Sequence, residues 1–532
     1  MIQTAAIQSS SPKVFNVNQI IFAFGILKLL IHFFNLQGYG PHADELYYIE
    51  LGKNFNWGFL DISPFVTWVA GLSELLFGSS IAAFRILPCL FSAGTVILTG
   101  KMTQHLGGQK LAIVIACSAM ICSPSFLATA YLLQPAVFDQ FFWALLIYSV
   151  LLFQKTKSIN YLYLGAVALG FGMLNKYSIL ILLAAIVFSI LVFDFKSLKA
   201  TFRHFVGPLT ISLLILLPNL IWQWQHGFPV FHYTLMVGKS AFSIDVFDYL
   251  FQLFFFHGAS VAIWTAGFLF LLFNTEKDKR NKLWPVSFLF VIIFLALLKG
   301  KLYYGLGIFP ILFAAGGVCW AIMLQQLKVF SSIFFVGMLY FFALLSLPIV
   351  IPILNITSCR EYVSNMVKLT GFSRPLRYED GTSGNIPQFF ADMSGWKLMV
   401  NKISDAAKDT NPKNAMGLSV ITDNYAIAGA LKYFGDFQMP PIISTQNSFL
   451  IGSPATLDMM TVIYLSKEPP AKIQGFAKEI QFIERLKTEN SHLNGLYIYR
   501  FSIPSIKMKL KYIQDRQNFY PEYSDKSLPK TN

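Results

Sequence analysis

Long apolar runs recur through the first two thirds of this chain, and they limit its fold more than any other feature. A run of about 18–22 residues is long enough for a helix to cross the roughly 30 Å of a bilayer's hydrocarbon core. Charged residues make up only 13% of the 532 positions, whereas soluble domains carry about 25%. The sequence therefore predicts a polytopic α-helical membrane protein.

The apolar runs predict about eleven transmembrane helices. The predicted spans are 17–36, 81–100, 111–128, 135–153, 161–174, 177–193, 205–222, 249–273, 283–298, 303–323 and 329–353. The first span lacks a strongly basic flank and a small-residue cleavage site, so we expect it to be a retained anchor.

Basic residues are concentrated in alternate loops between these spans, as they are in cytoplasmic loops of membrane proteins. These residues are Lys13, Lys101, Lys110, Lys155, Lys157, Lys196, Lys199, Arg203, Lys277, Lys279, Arg280, Lys282 and Lys328. The bias predicts a cytoplasmic N-terminus, and an odd number of spans then places the 37–80 loop and the C-terminal part outside. The net charge of +14 comes from these residues and a basic tail, so it does not indicate nucleic-acid binding.

The composition changes near Asn355, after which polar residues become frequent and no run could span a membrane. We expect helices at 393–408 and 424–434 and strands at 417–422, 461–466, 480–485 and 495–502. This alternation predicts a transmembrane domain at 1–354 and an external α/β domain at 355–532. From about Lys507 the chain is polar, and we expect it to be loosely held.

Two adjacent acids, Asp44 and Glu45, lie in the first predicted external loop, and Tyr47 and Tyr48 follow them closely. A carboxylate at a membrane edge is costly to dehydrate, so it usually has a partner or a function. The pair suits chemistry on a lipid-linked polar substrate. A solvated loop with incidental acids explains this segment equally well.

Other charged residues lie near the predicted outer ends of the spans. They are Arg85, Asp139, Lys176, Lys299 and Lys301, with Tyr303 and Tyr304 beside the last two. Bases collected at one membrane face could hold a phosphate, while the acids activate a hydroxyl. Alternatively, Arg85 and the two outer lysines could anchor helix ends by extending to the interface. Asp139 lies deeper in an apolar run, so we expect it to have a partner.

Neither histidines nor cysteines form a pattern typical of a metal site. His42, His226, His232 and His257 lack metal-ligand spacing, and a packing or interfacial role is favoured for each. The five cysteines contain no CxxC pair, so no disulfide framework is indicated. No phosphate-binding GxxxxGK[ST] or GxGxxG motif occurs.

The order of these motifs resembles the GT-C glycosyltransferases of the protein O-mannosyltransferase and aminoarabinose-transferase superfamily. The shared stretches are DELYY (44–48), GFLDISPF (58–65), LFGSSIAAFRIL (76–87), Asp139, GFGMLNKY (170–177), KGKLYYGLGIFP (299–310), Gly395–Trp396 and the NY..AGAL.Y.G stretch at 424–435. Together they cover nearly the whole chain.

The resemblance implies an enzyme of a bacterial inner membrane that moves a sugar from a polyprenyl-phosphate donor to a lipid, protein or glycan acceptor outside. Carried over by position, Asp44 is the catalytic carboxylate, with Glu45 as its neighbour and Asp139 as a second acid. The implied ligands of the donor phosphate are Arg85, Lys176, Lys301 and Tyr304, and the implied cavity residues are Tyr47, Tyr48 and Asp61.

Several points depart from the family pattern or stay open. Ile62 and Ser63 replace residues of the family's DHPP stretch, and Tyr47 stands where aminoarabinose transferases have a basic residue. No cofactor is indicated for certain, and a divalent metal is one possibility. A transporter or flippase of lipid-linked sugars is the alternative, since such proteins also carry charges within their spans. A non-catalytic scaffold would leave the acids unexplained.

Overall fold

A computed structural model describes residues 16–193, 195–240, 246–273, 282–410 and 417–519. Lys13, Lys277, Lys279 and Arg280 of the predicted inner loops lie outside these ranges, as do the side chains of Lys196 and Lys199. The helices before residue 355 are α1 Val17–Phe33, α2 Ala43–Gly52, α3 Phe65–Phe77, α4 Ile81–His105, α5 Lys110–Cys122, α6 Pro124–Ala128, α7 Pro135–Thr156, α8 Asn160–Asn175, α9 Ile179–Phe193, α10 Phe195–Gln225, α11 Pro229–Ser240, α12 Val246–Phe255, α13 Val261–Phe273, α14 Leu283–Leu297, α15 Phe309–Gln325 and α16 Val329–Val350.

The structure is that of a mostly helical, multi-pass membrane protein. Five helical stretches of the described residues are long and apolar enough to span a bilayer, and the bent pair Tyr249–Phe255 and Gly258–Phe273 would be a sixth. The five are Ile81–His105, Pro135–Thr156, Arg203–Gln225, Leu302–Gln325 and Val329–Val350. Shorter apolar helices cover other predicted spans, including α1, α5, α9 and α14. The count of about eleven spans stays a prediction.

The predicted loop at 37–80 folds into two helices, α2 and α3. Helix α2 begins with a capping box, in which His42 Nδ1 accepts the N–H of Asp44 at 3.1 Å and Glu45 accepts the N–H of His42 at 2.8 Å. Helix α3 is apolar but has only 13 residues. It was not predicted, because its run is too short to read as a span.

The ends of the long helices sort the charged residues into two groups. Arg85 lies near the start of α4 and Asp139 near the start of α7, while Lys176 directly follows the end of α8. The opposite ends of α4 and α7 carry Lys101 and Lys155. The predicted site residues therefore lie at one end of the bundle and anchoring lysines lie at the other.

After residue 355 helices and strands alternate. The helices are α17 Ile356–Thr370, α18 Gln388–Ala391, α19 Trp396–Lys408, α20 Tyr425–Phe434 and α21 Ile506–Phe519, and the strands are β1 Leu418–Thr422, β2 Ile442–Ser444, β3 Thr461–Ser466, β4 Ala477–Arg485 and β5 Tyr497–Pro504. The strands form one sheet in the order β2-β1-β3-β5-β4. Strands β2, β1 and β3 are parallel, and β5 and β4 are antiparallel to their neighbours.

Four parts of this region differ from the prediction. Helices α17 and α18 were not predicted. The three-residue strand β2 was missed, since so short a run carries no periodic signal. The stretch from Lys507 was expected to be loosely held, but through residue 519 it forms α21. Met508 and Tyr512, one turn apart, are buried against the sheet. Residues 520–532 lie outside the described residues.

Helix α20 packs directly on α2, so the C-terminal region covers the first loop. A Cβ atom on Gly429 of α20 would lie 2.9 Å from the carbonyl carbon and oxygen of Leu46 on α2. Only glycine permits this approach without displacing the backbone. A hydrogen bond of 2.8 Å from Tyr433 OH to the carbonyl of Ser79 holds the far end of α20. Whether the chain divides into domains at 354/355 stays a prediction.

Candidate active site at the start of helix α2

Asp44 is a half-buried carboxylate whose two oxygens are held from different parts of the chain. Its Oδ1 accepts a hydrogen bond of 2.6 Å from Tyr425 OH at the start of α20. Its Oδ2 accepts one of 2.9 Å from Gln134 Nε2 at the start of α7. The side chain remains 30% exposed. Asp44 is therefore oriented by neutral donors and still open to a ligand, as a catalytic carboxylate must be.

Glu45, the next residue, points the other way and is completely paired. Arg85 donates to it through Nε at 2.9 Å and Nη2 at 2.5 Å, and the N–H of Leu133 donates at 2.9 Å. Nη1 and Nη2 of Arg85 also donate to the carbonyls of Leu36 at 2.7 Å and Gly40 at 2.8 Å. The side chains of this ion pair are 0% and 1% exposed.

This pairing does not support two of the predicted roles. Arg85 was expected to bind the donor phosphate, but it is buried, and Nε, Nη1 and Nη2 each donate to a protein acceptor. Glu45 was expected beside Asp44 in the cavity, but its oxygens face Arg85 and the backbone. The pair instead ties α2 to α4 and to the segment before α7. We therefore leave Arg85 out of the phosphate-binding set.

Asp139, Lys176 and Tyr304 form a second group near Asp44. Asp139 accepts hydrogen bonds of 3.1 Å from Trp143 Nε1 and from Ser178 Oγ, and it is buried. The ammonium of Lys176 lies 3.2 Å from the centroid of the Tyr304 ring, a cation–π contact. No oxygen of an acid lies within ion-pair distance of Lys176 among the described residues. The lysine is therefore the more accessible member of this group, with Asp139 behind it.

Lys301 lies on the same side but has an exposed partner. It forms an ion pair with Glu379, in the segment between α17 and α18. Both side chains are largely exposed, so a phosphate could displace this acid at little cost. Lys301 also lies close enough to Asp44 for a direct Coulomb interaction.

Tyr47 and Asp61 are buried and hydrogen-bonded to one another. Tyr47 OH donates to Asp61 Oδ1 at 2.6 Å and accepts the N–H of Ser448 at 2.9 Å, while Ser448 Oγ donates to Asp61 at 2.6 Å. This buried lock, formed by Tyr47, Asp61 and Ser448, joins α2, the following loop and the C-terminal region. Burial raises the pKa of Asp61 to about 6. Both residues were predicted to line the substrate cavity, and the structure gives them hydrogen bonds to one another instead.

Asp44, Tyr48, Lys176, Tyr233, Lys301 and Tyr304 lie close enough to one another to interact electrostatically, and we call the region that they occupy the Asp44 recess. Burial raises the pKa of Tyr48 well above its ordinary value, and the nearby Asp44 and Asp61 raise it further. The same causes act on Tyr233. Both tyrosines are therefore neutral hydrogen-bond donors at physiological pH. The recess combines one carboxylate, two ammonium groups and several hydroxyls.

No group of three or more His, Cys, Asp or Glu side chains in the described parts of the chain is arranged to hold a metal ion. Each acid of the site binds its own hydrogen-bond donors and none is shared: Asp44 binds Tyr425 and Gln134, and Glu45 binds Arg85. The residues present therefore do not fit a bridging divalent metal, and we derive no step through one.

Comparisons with known proteins bear on the fold. The model of the dolichyl-phosphate-mannose-protein mannosyltransferase family matches residues 61–222, under a third of the chain. The crystal structures of ArnT from Cupriavidus metallidurans, apo and bound to undecaprenyl phosphate, superpose with a TM-score of 0.61 at 14% identity. Each match covers 90% of this chain and 97% of ArnT. The resemblance to the GT-C, ArnT-like superfamily is confirmed.

A curated relative adds a more distant match. Lipid A galacturonosyltransferase RgtD from Rhizobium johnstonii is 22% identical over 198 residues. The aligned part is 36% of this chain and 40% of that relative's length. The GT-C fold is thus supported over most of the chain, while likeness in sequence is confined to shorter segments.

Four residues near Asp44 were not predicted as site residues, namely His42, Gln134, Tyr233 and Tyr425. Tyr425 lies 381 positions after Asp44, so no local pattern could connect them. The Asn424–Tyr425 stretch was noted as part of the resemblance without a role in the site. His42 could have been found as the first residue of a capping box with Glu45, since the three-residue spacing is a known helix-start pattern. Gln134 precedes Pro135, the first residue of α7.

A second recess lies beyond the buried lock and contains none of the predicted site residues. Its volume is about 220 Å³, and it lies between the end of α2 and the C-terminal region. Glu50, Asn54, Lys432 and Ser448 contribute its polar lining. It is well formed, but its lining provides no carboxylate held as Asp44 is. Chemistry therefore points to the Asp44 recess rather than to this one.

Proposed function

We propose that this protein is a glycosyltransferase that moves a sugar from a polyprenyl-phosphate donor onto a hydroxyl of a lipid, protein or glycan acceptor. The observation that carries the proposal is the Asp44 carboxylate, oriented by Tyr425 and Gln134 yet 30% exposed, in a recess with Lys176 and Lys301. The undecaprenyl phosphate bound by ArnT and the transferase name of RgtD agree with it. Neither of these matches is named as a transporter.

In the proposed reaction Asp44 accepts the proton of the acceptor hydroxyl. The acceptor oxygen attacks the anomeric carbon, a new C–O bond forms, and the bond from that carbon to the phosphate oxygen breaks with its electron pair leaving on the phosphate. A positioned base of this kind contributes about 10²–10⁴ in rate. One displacement inverts the anomeric centre and needs no covalent intermediate.

Charge develops on the departing polyprenyl phosphate, and the basic residues of the recess are placed to stabilise it. Lys176 and Lys301 provide ammonium groups, and Tyr304 holds Lys176 through its ring. Preorganised positive charge in a partly dehydrated site stabilises such a transition state strongly. Asp139 acts on this group from behind, by its hydrogen bond from Ser178 and its charge near Lys176.

We place the recess at the outer face of a bacterial inner membrane. The opposite end of the bundle carries Lys101, Lys110 and Lys155, which the positive-inside rule assigns to the cytoplasm. The C-terminal region that supplies Tyr425 is then periplasmic. A lipid-linked donor reaches such a site from within the bilayer, while the acceptor arrives from the outer side.

The test compares the cell envelope of the host by mass spectrometry in the wild type, a deletion strain, and the deletion strain carrying Asp44→Asn. The proposal expects a glycan mass that disappears on deletion and is not restored by Asp44→Asn, although the variant accumulates normally. Glu50→Gln is the matched control, because Glu50 lies on the same helix and its ion pairs among the described residues are with Lys53 and Lys432. Full restoration by Asp44→Asn would remove the base from the mechanism.

A further inference from the structure

A line of titratable side chains leads from Asp44 towards the protein surface. His42 Nδ1 lies 3.8 Å from Asp44 Oδ2, and His42 Nε2 lies 3.9 Å from Asp392 Oδ2. Asp392 Oδ1 in turn lies 3.8 Å from His492 Nδ1. The side chain of Asp392 is 13% exposed and that of His492 is 34% exposed. The line thus runs from a half-buried carboxylate through two buried groups to solvent.

We propose that His42 and Asp392 form a proton relay that carries the acceptor's proton from Asp44 to His492 and then to solvent. This inference rests on the proposed function, because only a base that takes a proton at every turnover needs such a path. A phosphodiester donor with one charge becomes a phosphate monoester that can carry two, so each transfer releases one proton. Asp44 must lose that proton before it can act again.

The hydrogen bonds around His42 define how the proton would move. Nδ1 accepts the N–H of Asp44 at 3.1 Å, so in the neutral ring the hydrogen is on Nε2, which faces Asp392. The proton on Asp44 Oδ2 passes to Nδ1, where an N–H bond forms. The hydrogen on Nε2 passes to Asp392 Oδ2, where an O–H bond forms. Asp44 is then again a carboxylate, Asp392 carries the proton, and neutral His42 has its hydrogen on Nδ1 instead of Nε2. In this form Nδ1 cannot accept the N–H of Asp44 or the nearby Gln134 Nε2. The ring returns to the Nε2–H form, by releasing the Nδ1 proton to water and taking one up at Nε2, before the next turnover.

Each step is somewhat longer than a direct hydrogen bond, which ends near 3.2 Å. One bridging water, or a small rotation of a ring or a carboxyl group, closes such a gap at little cost. The backbone already holds the two central groups together, because the N–H of Ala43 donates to the carbonyl of Asp392 at 3.0 Å. The relay is therefore kept in register by the same contact that docks the C-terminal region on α2.

The choice of residue at position 42 supports the relay independently. Ser, Thr, Asp and Asn are the residues that best cap a helix start, and His is not among them. Position 42 is the N-cap of α2, and its side chain makes the capping hydrogen bond through an imidazole. An imidazole there does what the better caps cannot, since it offers a second nitrogen to Asp392.

The charges near Asp392 suit its role as proton acceptor. Burial raises the pKa of Asp392, the nearby His42 and His492 oppose this, and Asp44 adds to it. The other titratable or charged groups near the relay are Glu45, Arg85, Tyr378, Asp380, Tyr425 and Lys467. Glu45 and Arg85 neutralise one another, so the charged groups that remain beside the relay are Asp380 and Lys467.

The test variant is His42→Asn, because asparagine can still cap α2 but cannot carry a proton. Membrane vesicles of the host, which hold the natural donor and acceptor, would be used to follow the glycan mass over time. We expect the rate to fall by about 10-fold to 100-fold, and added imidazole to restore part of it. Purified His42→Asn should bind undecaprenyl phosphate as the wild type does, as measured by its thermal shift.

Asp392→Asn should show the same loss and the same rescue, and it decides the matter if His42→Asn does not accumulate. His492→Gln should lose much less, because solvent reaches Asp392 from that side. An unchanged rate in His42→Asn or Asp392→Asn, or a loss that imidazole does not restore, overturns the relay. If Asp44→Asn is inactive while both relay variants are normal, the relay alone fails. Wild-type vesicles that form no glycan overturn the proposed function itself.

Discussion

Asp44 and Glu45, adjacent acids on helix α2, have opposite environments. Asp44 faces the recess, where neutral donors hold it and 30% of its side chain is exposed. Glu45 faces the bundle, where Arg85 and two backbone N–H groups satisfy it and its side chain is 1% exposed. A carboxylate bound to a cation has little left to offer a substrate. A carboxylate held by uncharged donors keeps its charge available.

The difference shows what a motif of adjacent acids can and cannot reveal. In the proposed function Asp44 is placed for chemistry, whereas Glu45 binds Arg85 and so holds the helix that carries Asp44. The Glu45–Arg85 pair anchors α2 to α4, so the position of Asp44 depends on it. Variants at the two positions should therefore lose activity for different reasons, and stability measurements can separate them.

The largest effect on stability is expected from Glu45→Gln. This change leaves the buried Arg85 charge without its counterion, and breaking one partner of a buried pair costs about 3–5 kcal/mol. We expect a strongly lowered unfolding temperature in detergent, or failure to accumulate. The double variant Glu45→Gln, Arg85→Met should recover much of this loss, because it removes the unpaired charge as well. A Glu45→Gln protein as stable as Asp44→Asn would contradict the assigned difference.

A pH dependence of stability is expected from Asp61, which lies in the buried lock with Tyr47 and Ser448. Burial raises its pKa from 3.8 to about 6. In the unfolded chain the carboxyl ionises near its ordinary value, so between these limits the folded state binds more protons. The contribution of Asp61 to the free energy of unfolding therefore falls by roughly 3 kcal/mol as pH rises from about 4 to about 6, and it then levels off.

Asp61→Asn should remove this slope while keeping the acceptor for Tyr47 and Ser448. The measurement is the unfolding temperature of both proteins from pH 4 to pH 7.5, at fixed detergent and salt. The unfolding temperature of the variant should rise relative to that of the wild type as pH rises from about 4 to about 6. Parallel curves would mean that Asp61 is not held in the buried lock.

Much of the fold followed from the sequence, because its signals are local. All the predicted spans contain helix, and the strands at 418–422 and 461–466 match apolar runs of the right length. The misses are local too: α3 is too short to read as a span, and α21 is amphipathic rather than apolar. Its buried Met508 and Tyr512 are spaced by one turn, a pattern that was available in the sequence.

The site was harder to predict, because its decisive contacts join distant segments. Asp44 was identified from its neighbours, yet its donors come from α7 and α20. Arg85 was assigned to the phosphate because a base at a helix end gives no sign of its partner, which lies 40 positions earlier. Sequence motifs thus identified acids and bases near the same ends of the helices, but they could not separate charges bound by protein partners from available ones.

The smallest effect is expected from Tyr425→Phe, which tests how Asp44 is oriented in the Asp44 recess. The change removes one donor to Asp44 but keeps the ring that packs on Tyr47. A hydrogen bond to a charged group is worth about 1.5–3 kcal/mol, so the transfer rate should fall by roughly 10-fold to 100-fold. The unfolding temperature should stay near that of the wild type.

Tyr433→Phe is the matched control, because Tyr433 lies on the same helix and its hydroxyl binds the carbonyl of Ser79 instead. If both variants lost activity equally, α20 would act by docking on α2 rather than by orienting Asp44. A loss confined to Tyr425→Phe would make the C-terminal region part of the active site and not merely its cover.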